Sequence, residues 1–318
     1  MHTLLITTSF LSTARVEERL RHWGRTPIRL EIDRFPTQMQ LSLHDGRIWL
    51  RDEAGPRVLP ELEAVWYRRL ALRPELPEGT DPVVVQGVID ELRSFLLGLI
   101  ASRSCFVLQH KHLLRRAERK PWQLSQAAAC GLDVPATLCT SSADELRAWA
   151  RALGRPIITK ALTSFAIEQE GEQKVMHTSA LENLDDLDGL ELCPAAFQER
   201  LEKEREYRVT VVGDRLFTMS VASADSALGA VDWRRDSNAL LSRWRPDTLP
   251  EPAAQGLLRL MERLELNFGA ADFVRTPEGR CVFLEINPAG EYLWADDILG
   301  GAISDAIGDL LAGQLPRR

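Results

Sequence analysis

Two carboxylates and an amide crowd the end of one apolar stretch, residues 269–288, GAADFVRTPEGRCVFLEINP. Phe273 and Val274 have the character of one strand, and Cys281, Val282, Phe283, Leu284 and Ile286 that of a second. Thr276-Pro277-Glu278-Gly279 supplies turn chemistry between them, so the stretch is expected to form a β-hairpin. With a four-residue loop, Pro277–Arg280, Thr276 faces Cys281 and Asp272 faces Glu285. Side chains alternate along a strand, which places Asn287 on the face of Asp272 and Glu285. Directly opposed residues have Cβ atoms about 5 Å apart, and like charges there repel. A cation removes that repulsion. An all-oxygen donor set suits Mg²⁺, which takes one or two carboxylates plus substrate phosphates. A solvated acidic hairpin face is the other reading. The apolar neighbours of Glu285 and the strand break at Asn287-Pro288-Ala289-Gly290 count against it.

The positive charges are the second chemical signal. Of 39 basic residues only five are lysines, at 111, 120, 160, 174 and 203. A chain that uses Arg so heavily keeps few lysines by default. Lys is a compact point charge suited to a single phosphate oxygen, whereas Arg is a planar fork. Lys120 and Lys160 are singled out by their positions; Lys111, Lys174 and Lys203 read as surface residues. Histidines at 2, 22, 44, 110, 112 and 177 form no ligand cluster, and no Ser-His-Asp or Cys-His arrangement offers a nucleophile.

The elements that must position these groups suggest an α/β chain of 318 residues, long enough for two or three subdomains. Residues 1–110 read as a first α/β unit. It has strands over 3–8, 28–32, 39–43, 47–51 and 63–67, a helix over 14–22, and a long helix opened by Asp81-Pro82. Residues 111–190 form a second unit. There Pro121 begins a helix capped by Gly131, and Ser142-Ala143-Asp144-Glu145 is a capping box. A strand then carries Lys160, and a hairpin runs from Ile167 to His177. Residues 191–318 form a third unit, starting at Phe197-Gln198-Glu199. It contains a hairpin around Gly213-Asp214, a helix over 252–264, the acidic hairpin and a helix over 298–311. No GxGxxG and no GxxxxGK[ST] is present, which excludes a Rossmann fingerprint and a P-loop.

Net charge is −7, which argues against nucleic acid as a partner. No apolar run approaches membrane-span length, and MHTLLITTSF reads as a first strand rather than a signal peptide. Cysteines at 105, 130, 139, 193 and 281 form no CxxC pair, as expected for reduced thiols in a cytoplasm.

The hairpin resembles the closing metal motif of the ATP-grasp superfamily, an acidic residue on one strand and Glu-x-Asn on the next. Phe283-Leu284-Glu285-Ile286-Asn287-Pro288-Ala289-Gly290-Glu291-Tyr292-Leu293-Trp294 is most similar to the subgroup that matures ribosomal peptides, the microviridin-type or graspetide macrocyclases. That resemblance spans the chain in motif order and implies a three-subdomain ATP-grasp fold. It implies ATP and Mg²⁺ as cofactors, the metal held by Asp272, Glu285 and Asn287, and α- and β-phosphates neutralised by Lys120 and Lys160. Gln198-Glu199-Arg200-Leu201 resembles the hinge that reads adenine. Glu206 would meet the ribose and Arg208 a phosphate. Arg234, in Asp232-Trp233-Arg234, resembles an arginine beside the γ-phosphate. A Gly-rich phosphate lid after the second lysine is missing: Ala161-Leu162-Thr163-Ser164-Phe165 stands there. Trp66-Tyr67-Arg68-Arg69 also echoes the subgroup, but a buried aromatic pair beside surface arginines accounts for it equally well, and it receives no site role.

The implied activity is ATP-dependent ligation. An Asp or Glu side chain of a precursor peptide, leader plus core, is phosphorylated and joined to a hydroxyl or amine of the same peptide. The leader would bind the central subdomain, and a homodimer is compatible. A small-molecule ligase of the glutathione-synthetase or glutamate-adding type is the alternative, and a nucleotide-binding partner without turnover the second.

Overall fold

The computed structural model describes residues 1–68, 72–163, 166–169, 172–175, 178–222 and 241–318, the short segments 166–169 and 172–175 and residue 241 by their backbone only. The chain opens with β1 (His2–Thr7), α1 (Ala14–His22) and β2 (Thr26–Glu31). A three-stranded meander follows, β3 (Gln40–His44), β4 (Arg47–Asp52) and β5 (Gly55–Val58). Then come β6 (Leu62–Tyr67), α2 (Pro82–Ala101) and β7 (Phe106–Val107). Strands β2, β1, β6 and β7 lie in that order in one parallel sheet. The strand order reverses between β1 and β6. In open α/β sheets such a reversal leaves a crevice beyond the carboxyl ends of the strands. Asp81 accepts from Val83 N at 2.7 Å and caps α2, as its Asp-Pro start predicts. Strand β5 is the element of this part that the sequence reading lacks: Gly55-Pro56-Arg57-Val58 has little strand character of its own.

The next elements are α3 (Lys111–Ala117), α4 (Lys120–Ala129), β8 (Thr137–Thr140), α5 (Ala143–Leu153) and β9 (Ile157–Lys160). They continue with β10 (Ala166–Gln169), β11 (Glu172–Val175), β12 (Ser179–Leu181) and β13 (Ala195–Glu199). Strands β10 and β11 pair antiparallel, within the stretch expected to be a hairpin. Gly131 closes α4 with φ of +79°. The capping box at α5 is only half formed. Ser142 Oγ accepts from Glu145 N at 3.3 Å, but the Glu145 carboxylate accepts from Thr140 Oγ1 at 2.6 Å instead of turning back to Ser142. Strand β13, which the sequence reading places at the head of the third unit, pairs with both β8 and β9 in the sheet β12-β9-β13-β8.

A five-stranded antiparallel sheet completes the chain. Its strands are β14 (Arg205–Val212), β15 (Arg215–Val221), β16 (Arg245–Asp247), β17 (Phe268–Arg275) and β18 (Cys281–Asn287), in the order β16-β15-β14-β17-β18. Helix α6 (Glu251–Arg263) lies against one face. Leu257, Leu260 and Met261 meet Val209, Ala271, Phe273, Phe283 and Ile286 there, together with Leu124 and Ala127 of α4. The closing helix expected over 298–311 starts later, as α8 (Ala302–Leu311), and a short helix absent from the sequence reading, α7 (Leu293–Ile298), precedes it. Gly300 and Gly301 separate them at φ of +63° and +87°, left-handed values that interrupt a helix. Helix α8 packs against α1, so Val16 and Leu20 share a core with Ile303, Ile307 and Leu310. Among the described residues no helix is long and apolar enough to cross a membrane.

Candidate active site

The acidic hairpin pairs Asp272 with Glu285 and Ala270 with Asn287. Its local geometry differs from the strict alternation expected. Arg275, not Thr276, faces Cys281, and the turn is closed by Thr276 N donating to Arg280 O at 2.9 Å. A β-bulge between the Phe273–Phe283 and Asp272–Glu285 pairs then absorbs Leu284. Burial explains the bulge. With strict alternation Phe283 would share the face of Glu285. With the bulge it is fully buried on the opposite face, 5.4 Å centroid to centroid from Phe273 in a T-shaped contact. Ile286 joins the same core while Glu285 and Asn287 face away from it.

Each carboxylate of the pair comes with its own cation. Arg208 lies opposite Asp272 across β14 and β17, and its Nη1 donates to both Asp272 oxygens at 2.9 Å. Arg208 Nη2 donates to the Glu291 carbonyl at 3.3 Å. Lys120 Nζ lies 3.4 Å from Glu285 Oε2 and 3.4 Å from the Ala161 carbonyl. Helix α4 is fixed to β18 by Gln123. Its amide donates to Ile286 O at 2.8 Å and to Ala117 O at 2.7 Å, and its oxygen accepts from Ile286 N at 2.8 Å. Gln123 is 2 % exposed, so this double clamp is a buried lock that sets where Lys120 stands.

The remaining residues singled out by sequence fall on the same and neighbouring surfaces. Glu206 and Arg208 share the face of β14 opposite the buried Tyr207, Val209 and Val211. Lys203 is no surface lysine: its ammonium pairs with Glu206 at 3.1 Å, and both side chains are nearly buried. Its position just before β14 draws it onto the strand's polar face. Lys160 ends β9, opposite Ala196. Gln198 is buried in β13 and donates to Thr137 Oγ1 at 2.9 Å. Glu199 accepts from Ala136 N at 3.2 Å and from Arg155 at 2.7 Å, with Arg280 at 3.5 Å. Burial pushes the Glu199 carboxyl up, but these donors outweigh it and hold it below the usual carboxylate range. Its side chain therefore ties β13 to the acidic hairpin. Leu201 is half-buried just past β13. Asn287 is exposed, and its Oδ1 accepts from Ala289 N at 3.0 Å, which shapes the following loop. Arg234, with Asp232 and Trp233, lies outside the described residues.

The donor set fits Mg²⁺. Asp272, Glu285 and Asn287 offer only hard oxygens, and the first two are opposed across one strand pair. Among the described residues no three His, Cys, Asp or Glu side chains converge. Two carboxylates and an amide would leave the other positions of a Mg²⁺ ion to water and phosphate, as that ion prefers.

Two site features escape sequence reasoning. Gly290 has to be glycine: a Cβ there would lie 2.5 Å from Ala270 Cβ and 3.0 Å from Arg208 Nη2. Arg68, at the carboxyl end of β6, reaches across to Glu291 at 2.7 Å. The pairing joins residues 223 positions apart, which no local pattern announces.

Comparisons with known proteins agree with this architecture. The MvdD pre-ATP grasp domain family matches residues 2–115. No curated protein matches the chain. Three solved structures are similar over nearly the whole length. One is a Chryseobacterium gregarium RiPP-associated ATP-grasp ligase in complex with ADP and a leader and core peptide. It is 31 % identical over 99 % of this chain and 98 % of its own, with a TM-score of 0.93. The macrocyclase MdnC from Microcystis aeruginosa, bound with precursor peptide MdnA, is 33 % identical over 98 % of this chain and 100 % of its own, at TM-score 0.85. MdnB from the same organism is 31 % identical over 98 % of each chain, at TM-score 0.77. With its α/β plan and cation-paired acidic hairpin, this chain belongs to the RiPP-associated ATP-grasp ligases, the peptide-macrocyclising branch of the ATP-grasp fold.

Proposed function

We propose that the chain is an ATP-dependent ligase that joins side-chain carboxylates of a ribosomal precursor peptide to hydroxyls or amines of the same peptide. The observation that carries this reading is the double pair Asp272–Arg208 and Glu285–Lys120 on one face of adjacent strands. Structural relatives captured with ADP and with leader and core peptides support it. Lys120 and Lys160 neutralise the α- and β-phosphates. Backbone groups from Gln198 to Leu201 meet the adenine, since the Glu199 carboxylate is already committed, and Glu206 meets the ribose. Asp272, Glu285 and Asn287 hold Mg²⁺, which when bound supplies charge neutralisation to the nucleotide phosphates. Arg208, fixed by Asp272 and the Glu291 carbonyl, and Arg234 place positive charge beside the transferred phosphoryl.

The chemistry is positioning and electrostatics. A carboxylate oxygen of an Asp or Glu side chain attacks the γ-phosphorus. The phosphorus–oxygen bond to ADP breaks, and an acyl phosphate forms on the peptide. A Thr or Ser hydroxyl, or a Lys amine, then attacks the acyl carbon and expels phosphate, losing its proton to solvent. Each link removes one water overall. Five free cysteines are in keeping with work in a reducing cytoplasm.

The test is the intact mass of a candidate acidic precursor peptide, leader plus core, after incubation with the protein, ATP and Mg²⁺. Loss of one water per link, dependent on ATP, is expected. Glu285→Gln should abolish that loss and ATP consumption while the protein remains folded. Unchanged ATP consumption in that variant overturns the metal assignment, and mass gain by an added amino acid overturns macrocyclisation.

A further inference from the structure

Arg68 has a buried nitrogen with nothing to do. Its side chain is 7 % exposed, and among the described residues its Nη1 has no hydrogen-bond partner. The other arm of the fork is occupied, Nη2 donating to Glu291 Oε1 at 2.7 Å. The guanidinium stacks over Tyr292 at 4.6 Å from the ring centroid. Glu291 is itself fixed, because its carboxylate accepts from Tyr292 N and Leu293 N at 3.1 and 3.0 Å. Arg68 is thus anchored through one arm and one face. A buried donor left unpaired costs stability, and in a native fold it calls for an occupant.

The surroundings say which occupant. Arg68 lines a cavity of ≈ 30 Å³ walled by Leu108, Leu114, Phe268, Ala289 and Gly290. That is room for about two water-sized groups, which matches the two oxygens of a carboxylate. Arg68 is the charged group among the cavity's lining residues, which also include Tyr67 and Gln109. The Gln109 amide is spent on the Phe268 carbonyl at 2.6 Å. The cavity therefore selects an anion with an apolar stem. It lies at the carboxyl end of β6, beside the β1–β6 reversal of the parallel sheet, where open α/β sheets take ligands.

Its relation to the reacting centre is equally direct. Gly290 is a wall of the cavity, and the space on its Cβ side is filled by Arg208 Nη2. Glu291 binds Arg68 through its carboxylate and Arg208 through its carbonyl. One glycine's thickness separates the Arg68 cavity from the guanidinium that grips Asp272. We propose that Arg68 receives the acceptor carboxylate of the substrate, an Asp or Glu side chain of the peptide, and turns it toward the transferred phosphoryl. This deepens the ligase reading above and rests on it. A planar fork is needed because the remaining arm must meet the carboxylate while the other stays on Glu291.

The experiment uses the full chain with Mg²⁺ and ATP and two peptides. One is a candidate acidic precursor, leader plus core; the other carries Asn and Gln at its core Asp and Glu positions. Wild type, Arg68→Ala and Arg68→Lys are compared. ADP affinity should be unchanged in both variants, while kcat/KM for loss of water falls about 100-fold. Wild type should bind the acidic peptide more tightly than the amide peptide, and both variants should lose that preference. A variant that keeps the preference, or Arg68→Lys at full activity, overturns the assignment. Arg68→Lys also decides the case in which Arg68→Ala does not fold, since it keeps bulk and charge. If wild type leaves every peptide unchanged but consumes ATP with glutarate, the peptide reading fails. The same variants then test the cavity against a free dicarboxylic acid, and equal glutarate turnover by wild type and Arg68→Lys overturns the site as well.

Discussion

At the residue scale, each carboxylate of the Asp272–Glu285 pair is matched with a base. Asp272 alone would repel Glu285 across the strand pair, and Arg208 and Lys120 cancel that repulsion before any cation arrives. Arg208 does more than balance charge, since one nitrogen serves both Asp272 oxygens and another holds the Glu291 carbonyl. An ammonium lacks that planar fork. Arg208→Lys should therefore lower kcat for ATP-dependent water loss by about 100-fold, with a melting temperature close to wild type. Parallel turnover and thermal-unfolding measurements check it; full activity in the variant removes the fork from the mechanism. This scale was partly legible in sequence. The scarcity of lysine drew attention to Lys120 and Lys160, yet the same argument dismissed Lys203, which is nearly buried against Glu206. Composition singles out a residue type. It does not say which copies a strand edge will bury.

At the element scale, the bulge at Leu284 shows where pattern reading succeeds and where it misses. The opposition of Asp272 and Glu285 was readable from alternation, but the ladder between them was not. A longer turn and one extra residue in β18 cancel, and the core's need for Phe283 sets the difference. The same limit applied to the closing helix, whose expected start at 298 runs through the Gly300-Gly301 break that precedes α8. Gly290 is the sharpest case, because a turn glycine and a packing glycine look alike in sequence. Its missing Cβ lets the loop after Asn287 lie against Ala270 and Arg208. Gly290→Ala should destabilise the protein by about 1–3 kcal/mol through overpacking. Urea unfolding measures it, and a variant as stable as wild type would mean that the loop has room to move.

At the scale of the whole molecule, one buried carboxylate ties the first helix to α8. Asp309, 2 % exposed, accepts from Arg19 Nε at 2.6 Å, Trp23 Nε1 at 2.7 Å and Arg215 Nη1 at 3.1 Å. Burial pushes its carboxyl up, but the bonds from Arg19 and Trp23 and the charges of Arg19 and Arg215 outweigh it and hold it below the usual range. A depressed carboxyl stabilises the fold above the unfolded-state pKa, about 3.9 for Asp. That contribution is lost as pH falls through the folded value. Asp309→Asn should therefore cost about 3 kcal/mol at neutral pH, and the gap to wild type should shrink in acid. Urea titrations from neutral to acid pH follow it; a gap independent of pH would assign the loss to packing instead. None of this was legible beforehand, because Asp309 meets Arg19, Trp23 and Arg215 across 290, 286 and 94 positions of sequence.

The same embrace bears on synthesis. The apolar face of α1, Val16 and Leu20, is covered by Ile303, Ile307 and Leu310 of α8. A ribosome makes Val16 long before it makes Ile303, so a nascent chain lacks that cover until α8 emerges. Such exposed apolar surface is what chaperones hold and what aggregates in their absence. Yield in the cell should accordingly depend on chaperone supply more than equilibrium stability suggests, and moving α8 ahead of β1 by circular permutation should relieve that dependence.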